Sequence, residues 1–287
     1  VMCADNGVVA EGVTQSEQNV TAIVSENFLS DKATAAILCK QTGAEIFPID
    51  IGIAVDTKLE NHKIAYGTKN MAKEPAMTRE EAERAMEVGI EKVRELSEQG
   101  YKIIATGEMG IGNTTTSSAL ASYFLQEDVE KMTGRGAGLT SKALEKKIAV
   151  VRKAIADYSP AFTDAIDALA ALGGFDIAGM AGVFLGGAIY RVPIVMDGFI
   201  SSTAALTATR ICPACKDFIM ASHVSKEPAA EKILAAMDKE AALHCDMCLG
   251  EGTGAVTLFP ILDLATQIYE QMSTFEDIEI DAYVELK

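Results

Sequence analysis

The stretch YKIIATGEMGIGNTTTSSALASYFL, residues 101–125, decides the fold class because it predicts a strand, a glycine-rich loop and a helix in succession. YKIIAT is an apolar run of strand length, and SSALASYFL has a helical pattern. The loop between them, GEMGIGNTTT at 107–116, places glycines where backbone N–H groups can approach an anion. Glu108 is unusual there, since a phosphate-binding loop would rather carry a lysine.

The same alternation of apolar strands and helices continues along the chain. Strand patterns occur in VMCAD, AEIFPIDIGIAV, VPIVMDGFI and KDFIMASHV, and helical patterns lie between them. Strands that are apolar on both faces are typical of a parallel sheet that helices cover on each side. The sequence therefore predicts an α/β fold with a mainly parallel sheet flanked by helices.

Capping residues predict where several helices begin and end. Asp31 is a candidate N-cap of a helix that ends at Gly43. The run TREE at 78–81 is a capping box for a long helix that ends at Gly100. FDIAGMAGVFLGGAIYR is a helix of small residues suited to close packing, and Pro260 is expected to disturb the last helix.

Polar residues follow the predicted strands at the points where the strands end. Because the carboxyl ends of parallel strands share one edge of the sheet, these residues are expected to meet, and ligands of α/β sheets bind at that edge. The strand-end motifs are Asp5-Asn6-Gly7, Gly107-Glu108, Asp197-Gly198 and Ser222-His223-Val224-Ser225.

Composition and charge exclude several classes of function. The chain has 287 residues, 49% of them hydrophobic, which is enough for a sizeable core and argues against disorder. A formal net charge of −16 argues against nucleic acid or an anionic membrane surface as a partner, because both need clustered Lys and Arg. No apolar run reaches transmembrane length without a charge or a glycine.

The start of the chain and its cysteines bear on its origin. No signal peptide is visible, so the six cysteines are expected to be reduced thiols in a cytoplasmic protein. The chain opens with VMCADNG, which is the last part of a strand leading into a loop. We therefore expect that an N-terminal segment precedes it.

Three glycine-rich loops are candidates for chemistry, and each has a simpler alternative. GEMGIGNTTT lacks the third glycine of a dinucleotide fingerprint and the lysine of a P-loop, and its pattern fits an anion cradle and a capped glycine turn equally well. GRGAG at 134–138 holds Arg135, yet alone it favours an ordinary turn. LGEGTGA at 249–255 holds Glu251, which is either a general base in a partly dry pocket or a solvent-facing residue.

The spacing of four cysteines resembles a metal site. Cys212 and Cys215 form one CxxC pair, and Cys245 and Cys248 form another. His223 and His244 are further candidate ligands, although the α/β context favours buried or loop thiols without metal.

Taken together, these motifs resemble the nicotinate-nucleotide:dimethylbenzimidazole phosphoribosyltransferase family of the cobalamin lower-ligand pathway. The resemblance follows the family's order over essentially the whole chain, which no single glycine loop could achieve. Its motifs are ADNGVVAEGV at 4–13, EPAMTREEAERAMEVGIE at 74–91, GEMGIGNTTT at 107–116, GRGAG at 134–138, GGFDIAGMAG at 173–182, VPIVMDGFISSTAAL at 192–206, ASHVSKEP at 221–228 and LGEGTGA at 249–255.

The resemblance implies a fold, an activity and an assembly. The implied fold is a doubly wound α/β domain, here residues 1–262, with a small helical part from the chain ends, here the C-terminal segment 263–287. The implied enzyme transfers the phosphoribosyl group of nicotinate mononucleotide to a benzimidazole-type base, releasing nicotinate and forming an α-ribazole phosphate. It needs no metal or redox cofactor, and it is a homodimer.

The resemblance also implies residue roles. Glu251 is the general base on the N–H of the incoming base, Glu108 stabilises positive charge at the ribose, and Lys147 contacts the nucleotide. Two further substrate-binding candidates come from the sequence pattern: Arg135 lies in the GRGAG loop, and Asp197 follows a predicted strand. Gln18 is expected to contact the base, and the substrate-binding loops contribute Gly110, Gly112, Asn113, Thr114, Gly136, Gly198 and Ser225.

Three alternatives remain open at the level of sequence. One is a related phosphoribosyltransferase that uses another acceptor, such as adenine or a phenol. Another is a catalytically silent, nucleotide-binding subunit. The third is a metal-binding or redox role for the CxxC pairs.

Overall fold

Parallel strands form the centre of the computed structural model, which describes residues 1–281 and 283–284. Every pairing between named strands in that part of the chain is parallel, as the apolar strand patterns predict. The strands are β1 (Met2–Ala4), β2 (Ile49–Gly52), β3 (Glu60–Asn61), β4 (Ile104–Ala105), β5 (Glu108–Met109), β6 (Ile194–Met196) and β7 (Ile219–Ala221).

The segment 104–109 lies at the middle of the strand arrangement and is shared by two ladders. β5 completes the order β3-β2-β1-β5, while β4 begins the order β4-β6-β7. The sequence predicts one strand here, whereas the structure has two, because each half of the segment pairs with a different neighbour. When this segment is counted as one strand, the combined order is β3, β2, β1, residues 104–109, β6, β7. The order along the chain therefore reverses between β1 and residues 104–109, which confirms the doubly wound fold.

Helices surround the strands. α3 and α8 pack closely against each other because glycines face backbone: a Cβ on Gly89 would lie 2.0 Å from the carbonyl oxygen of Gly179. This confirms the prediction that the small-residue helix is suited to close packing. The helices are α1 (Val20–Asn27), α2 (Thr34–Thr42), α3 (Arg79–Glu98), α4 (Asn113–Leu125), α5 (Val129–Met132), α6 (Ser141–Tyr158), α7 (Ala165–Leu172), α8 (Phe175–Tyr190), α9 (Phe199–Ile211), α10 (Ala230–Ala236) and α11 (Thr253–Gln271).

Two of the predicted helix boundaries are confirmed and one is wrong. Thr78 and Glu81 form the predicted capping box at the start of α3. Gly43 ends α2 with a left-handed φ of 71°. Asp31 does not cap α2, whose N-cap is Ala33. An N-cap needs an extended backbone, whereas Asp31 has a left-handed φ of 56° and ends a short 3₁₀ turn.

The ends of two other predicted elements also differ from the structure. VPIVMDGFI is predicted to be a strand that ends in Asp197-Gly198, whereas β6 ends at Met196 and Phe199 already begins α9. α11 contains Pro260 and continues to Gln271, so the predicted division between residues 262 and 263 falls within this helix. Among residues 1–281 and 283–284, no helix combines the length and the hydropathy needed to span a bilayer.

Candidate active site

The carboxyl ends of the central strands bring together side chains that lie far apart in sequence. Glu108 lies in β5, Asp176 begins α8, and Asp197 follows β6. All three carboxylates are buried. They lie at the point where strand order reverses, which is the usual position of a ligand site in a doubly wound sheet.

Glu108 is held by both loops of the site. Its Oε2 accepts a hydrogen bond from Nδ2 of Asn113, and its Oε1 accepts one from the backbone amide of Glu251 at 3.4 Å. A Cβ on Gly250 would lie 2.4 Å from that same Oε1, so only glycine leaves room for the carboxylate. Burial, and then the charge of Asp176, raise the pKa of Glu108 well above its usual value.

Asn113 bridges Glu108 to a second carboxylate. Its Nδ2 also donates to Oδ2 of Asp176 at 3.0 Å. The N-cap of α4 is Gly112 and no side chain caps this helix end; the Asn113 amide is directed to the two carboxylates instead. Sequence reasoning assigned no role to Asp176; its place in GGFDIAGMAG, beside two glycines, was the available signal.

Asp197 holds the loop that carries Glu251. Its Oδ1 accepts from the amides of Gly254 at 2.7 Å and Ala255 at 3.2 Å, and its Oδ2 accepts from Gly252 at 3.1 Å. The carboxylate therefore satisfies the free amides at the start of α11 and complements the helix dipole. His223 lies beside it, with Nδ1 3.8 Å from Oδ1. A direct contact between Asp197 and substrate stays a prediction.

Glu251 projects from a strained turn. It has a left-handed φ of 62°, between Gly250 at 89° and Gly252 at 85°. The side chain is half-buried, burial raises the pKa of its carboxyl group, and Oε2 has no hydrogen-bond partner among the described residues. A half-buried carboxylate of raised pKa with a free oxygen has the properties of a general base.

A cavity of about 610 Å³ begins at this turn. Glu251 and Gly252 line one end, next to Thr106 and Gly107. The rest of the lining is mostly apolar and comes from α2, α3, α8 and α11, from residues 43–47 and 101–105, and from the amino-terminal ends of the central strands. Most of the cavity therefore lies away from the strand ends at which the carboxylates gather.

Lys147, in α6, forms a second cluster of polar contacts with the start of α4. The side chain is buried, and its Nζ donates to Oγ1 of Thr114 at 2.9 Å and to the carbonyl oxygen of Gly134 at 3.1 Å. Burial lowers the pKa of Lys147 to about 8, while the charge of Glu227 opposes that shift. Gly136 packs close by, since its Cβ would lie 2.9 Å from Oγ1 of Thr114.

The comparisons with known proteins agree with this geometry. A family model described as "Phosphoribosyltransferase" matches residues 1–280. A nicotinate-nucleotide–dimethylbenzimidazole phosphoribosyltransferase from Clostridium acetobutylicum is 50% identical over 100% of this chain and 82% of its own length. The chain belongs to this phosphoribosyltransferase family.

Further relatives agree with this assignment. The nicotinate-nucleotide–dimethylbenzimidazole phosphoribosyltransferase of Acetivibrio thermocellus is 49% identical over 99% of this chain and 82% of its own length. The crystal structure of CobT from Thermus thermophilus superposes with a TM-score of 0.94 at 36% identity, covering 98% of this chain and 85% of that one. The relationship therefore extends over the whole described fold.

For the other residues predicted for a phosphoribosyltransferase site, the structure shows contacts within the protein only. Arg135 is exposed and donates to the carbonyl oxygen of Leu139 at 2.6 Å and to Oγ of Ser141 at 3.1 Å, so it holds its own loop. Gly198 packs against Ser225, because a Cβ on Gly198 would lie 3.5 Å from the Cβ of Ser225. Gln18 is half-buried just before α1, a helix that packs against β1 and β5.

Sequence reasoning also missed Glu227. Its carboxylate packs on Gly134, where a Cβ would lie 1.8 Å from Oε2. Burial raises the pKa of Glu227, and the charge of Lys147 counteracts this. The signal was its position in ASHVSKEP, one of the motifs shared with the phosphoribosyltransferase family.

The cysteines do not assemble into the four-cysteine site considered from sequence. Cys212, Cys245 and Cys248 are exposed free thiols, whereas Cys215 is buried. Among the described residues, no group of three or more His, Cys, Asp or Glu side chains has an arrangement that could hold a metal ion. Burial raises the pKa of Cys215 to about 12, which keeps this thiol protonated and unreactive.

Proposed function

We propose that this chain transfers the phosphoribosyl group of nicotinate mononucleotide to a benzimidazole-type base, yielding α-ribazole 5′-phosphate and nicotinate in cobalamin nucleotide-loop assembly. The observation that carries the proposal is the contact between two carboxylate loops at the switch point: the Glu251 amide donates to Glu108. The names of the relatives and the match of the family model support it.

The reaction needs two carboxylates with different tasks. As the bond between ribose C1′ and the pyridinium nitrogen breaks, its electron pair neutralises the nicotinate ring and positive charge develops on the ribose. Glu108, buried in the site, stabilises that charge electrostatically. A neutral nitrogen of the base attacks C1′ from the opposite face, so the β-nucleotide becomes an α-riboside.

Glu251 completes the transfer as the base. The attacking ring becomes cationic once its nitrogen bonds to C1′, and its other nitrogen must release a proton. The Glu251 carboxylate has a pKa raised by burial and an unpartnered Oε2, so it can accept that proton. Bonds and charges balance without an oxidant or reductant. As in an inverting glycoside hydrolase, one carboxylate acts as general base on the nucleophile; here the nucleophile is a nitrogen, and because the leaving nicotinate needs no proton, the other carboxylate stabilises charge instead of acting as an acid.

Lys147 and the neighbouring loops provide an anion cradle for the 5′-phosphate. Lys147 supplies a cation, Thr114 a hydroxyl group, and Gly136 packs closely on Thr114, which brings its glycine loop to the same point. Gly110, Gly112, Gly198 and Ser225 are proposed to surround the nicotinate and ribose, with Arg135 at the edge of the phosphate site. Gln18 and Asp197 remain proposed substrate contacts.

The remaining expectations belong to the same proposal. The partners are nicotinate mononucleotide and an aromatic base, and the enzyme is a cytoplasmic homodimer. Residues 1–262 bind nucleotide and base, and the C-terminal segment 263–287, in which residues 282 and 285–287 lie outside the described part of the chain, contributes to a small helical domain. The resemblance to the family supports each of these points.

A product assay tests the function. The chain is incubated with nicotinate mononucleotide and dimethylbenzimidazole, and the mixture is separated by chromatography to detect α-ribazole 5′-phosphate and nicotinate. Parallel reactions with adenine and with a phenol compare acceptors. Absence of any nucleotide product with every base would overturn the transferase proposal, and preferential use of adenine or a phenol would replace the benzimidazole acceptor.

A further inference from the structure

One amide group joins two buried carboxylates in the site. Nδ2 of Asn113 donates both to Oε2 of Glu108 and to Oδ2 of Asp176, the latter at 3.0 Å. Exposure is 7% for Glu108 and 0% for Asp176, so water does not screen their charges. A buried pair of like charges is unfavourable when both groups are ionised.

The surroundings of the pair supply no compensating cation among the described residues. The other charged group that acts on Glu108 is again a carboxylate, Asp197, which follows β6, whereas Glu251 contacts Glu108 through its backbone amide. Two basic side chains of the site are engaged elsewhere. His223 lies beside Asp197, and Lys147 bonds Thr114 and Gly134.

The packing around Asp176 also fixes its position. A Cβ on Gly110 would lie 2.5 Å from Oδ2 of Asp176, and a Cβ on Gly174 would lie 2.5 Å from Oδ1. The amide of Asn6 lies against both glycines and is wholly buried. Oδ1 of Asp176 accepts from the amide of Ile177 at 3.0 Å. The carboxylate therefore cannot turn away from Glu108 to escape its charge.

We propose that Asp176 is a positioning residue that acts on Glu108 through Asn113, and that the two carboxyl groups share one proton until a cationic ligand arrives. Nicotinate mononucleotide carries a positive pyridinium ring. Its binding supplies the missing cation, so the shared proton leaves to solvent and Glu108 becomes the anion that the chemistry requires. The release of the proton on nucleotide binding rests on the proposed function, whereas the sharing of a proton in the ligand-free protein does not.

The titration behaviour agrees with this geometry. Burial raises the pKa of Asp176 to about 6, opposed by its hydrogen bond from Asn113. Burial and the charge of Asp176 raise the pKa of Glu108 well above its usual value. Two interacting groups of this kind titrate as a pair, in two steps.

The first experiment uses the ligand-free protein. Carboxyl-carbon NMR on protein labelled at Asp and Glu side chains follows titration, and the resonances of Glu108 and Asp176 are assigned by difference from Glu108→Gln and Asp176→Asn. We expect one proton to remain on the pair after the exposed carboxylates have ionised, and the pKa of Glu108 to fall in Asp176→Asn. Titration of both groups together with the exposed carboxylates would overturn the inference.

The second experiment measures proton release. Nicotinate mononucleotide is titrated calorimetrically into the wild type and Asp176→Asn near neutral pH, in buffers that differ in ionisation enthalpy. We expect release of about one proton by the wild type and a smaller release by Asp176→Asn, in which Glu108 stays buried but no longer faces the charge of Asp176. The variant keeps an oxygen for Asn113 and still binds. Wild-type heats that do not depend on the buffer, or release that is unchanged in the variant, would overturn the inference.

The two experiments separate failure of the inference from failure of the proposed function. If the wild type does not bind nicotinate mononucleotide, the proposed function fails, while the ligand-free titration still decides whether the proton is shared. Exposed Glu240→Gln is the control variant, because this residue lies outside the cluster. It should leave both the titration of the pair and the proton release unchanged.

Discussion

The backbone amide of Glu251 donates a hydrogen bond to Oε1 of Glu108 at 3.4 Å, so the two carboxylate loops are in direct contact. Gly107 reinforces this contact, because a Cβ there would lie 2.7 Å from the carbonyl oxygen of Glu251. The position of the proposed base is thus set by the loop that carries the charge-stabilising carboxylate. Changes in either loop are expected to affect both the charge stabilisation by Glu108 and the proton transfer to Glu251.

Removing the charge of Glu251 should abolish turnover while nucleotide binding persists. Glu251→Gln keeps the size and the backbone amide but cannot accept the proton, so kcat should fall on the order of 100- to 10,000-fold. Steady-state kinetics gives kcat, and calorimetry gives the affinity for nicotinate mononucleotide. Exposed Glu240→Gln is the control. Unchanged turnover in Glu251→Gln would exclude this residue as the base.

Gly250→Ala should damage the site beyond the effect of backbone strain. Gly250 and Gly100 both have left-handed backbones, with φ of 89° and 98°, but only at Gly250 would a Cβ clash with Glu108. Gly100→Ala should therefore lose about 1 kcal/mol of unfolding free energy and keep its activity. Gly250→Ala should lose more stability and most of its kcat.

Chemical denaturation and initial rates compare these two glycine variants. The contact between the loops would be of no consequence if Gly250→Ala and Gly100→Ala lost the same stability and both kept full activity.

Replacing Lys147 should weaken nucleotide binding. Lys147→Met keeps most of the buried volume but removes the cation. KM for nicotinate mononucleotide should therefore rise about 10- to 100-fold, which corresponds to the loss of one charge-assisted hydrogen bond. Lys146→Met, at the exposed neighbouring position, is the matched control. Equal KM values in the two variants would remove Lys147 from the anion cradle.

The same lysine predicts a pH dependence. Its pKa is lowered from 10.5 to about 8, so the ammonium loses its proton above that pH and KM for the nucleotide should rise. Between about 8 and 10.5 the unfolded chain holds a proton that the folded chain has lost, so this group adds stability as pH rises. Both trends should be absent in Lys147→Met. A KM that stays constant across this range would contradict the assignment.

Much of the fold follows from the sequence because strand and helix periods are local properties. The capping box at Thr78 and the left-handed end at Gly43 depend on residues within a single turn, and both are confirmed. The split of residues 104–109 does not follow locally. It arises because two separate neighbours, β1 and β6, pair with successive halves of one segment.

The candidate site divides in the same way. Glu108 and Glu251 are visible as carboxylates among glycines, which is unusual local chemistry. The hydrogen bonds of Asp197 with residues 252–255, and the link from Asp176 to Asn113, join segments more than 50 residues apart. A single sequence contains no record of which strand ends face one another, so these partners emerge only from the folded chain.

The configuration of the product tests the central claim most directly. NMR of the riboside formed from nicotinate mononucleotide and dimethylbenzimidazole distinguishes the α from the β anomer. The account predicts the α-riboside alone, because the base attacks opposite the leaving nicotinate, between Glu108 and Glu251. A β-riboside, or release of nicotinate with only free ribose phosphate, would contradict it.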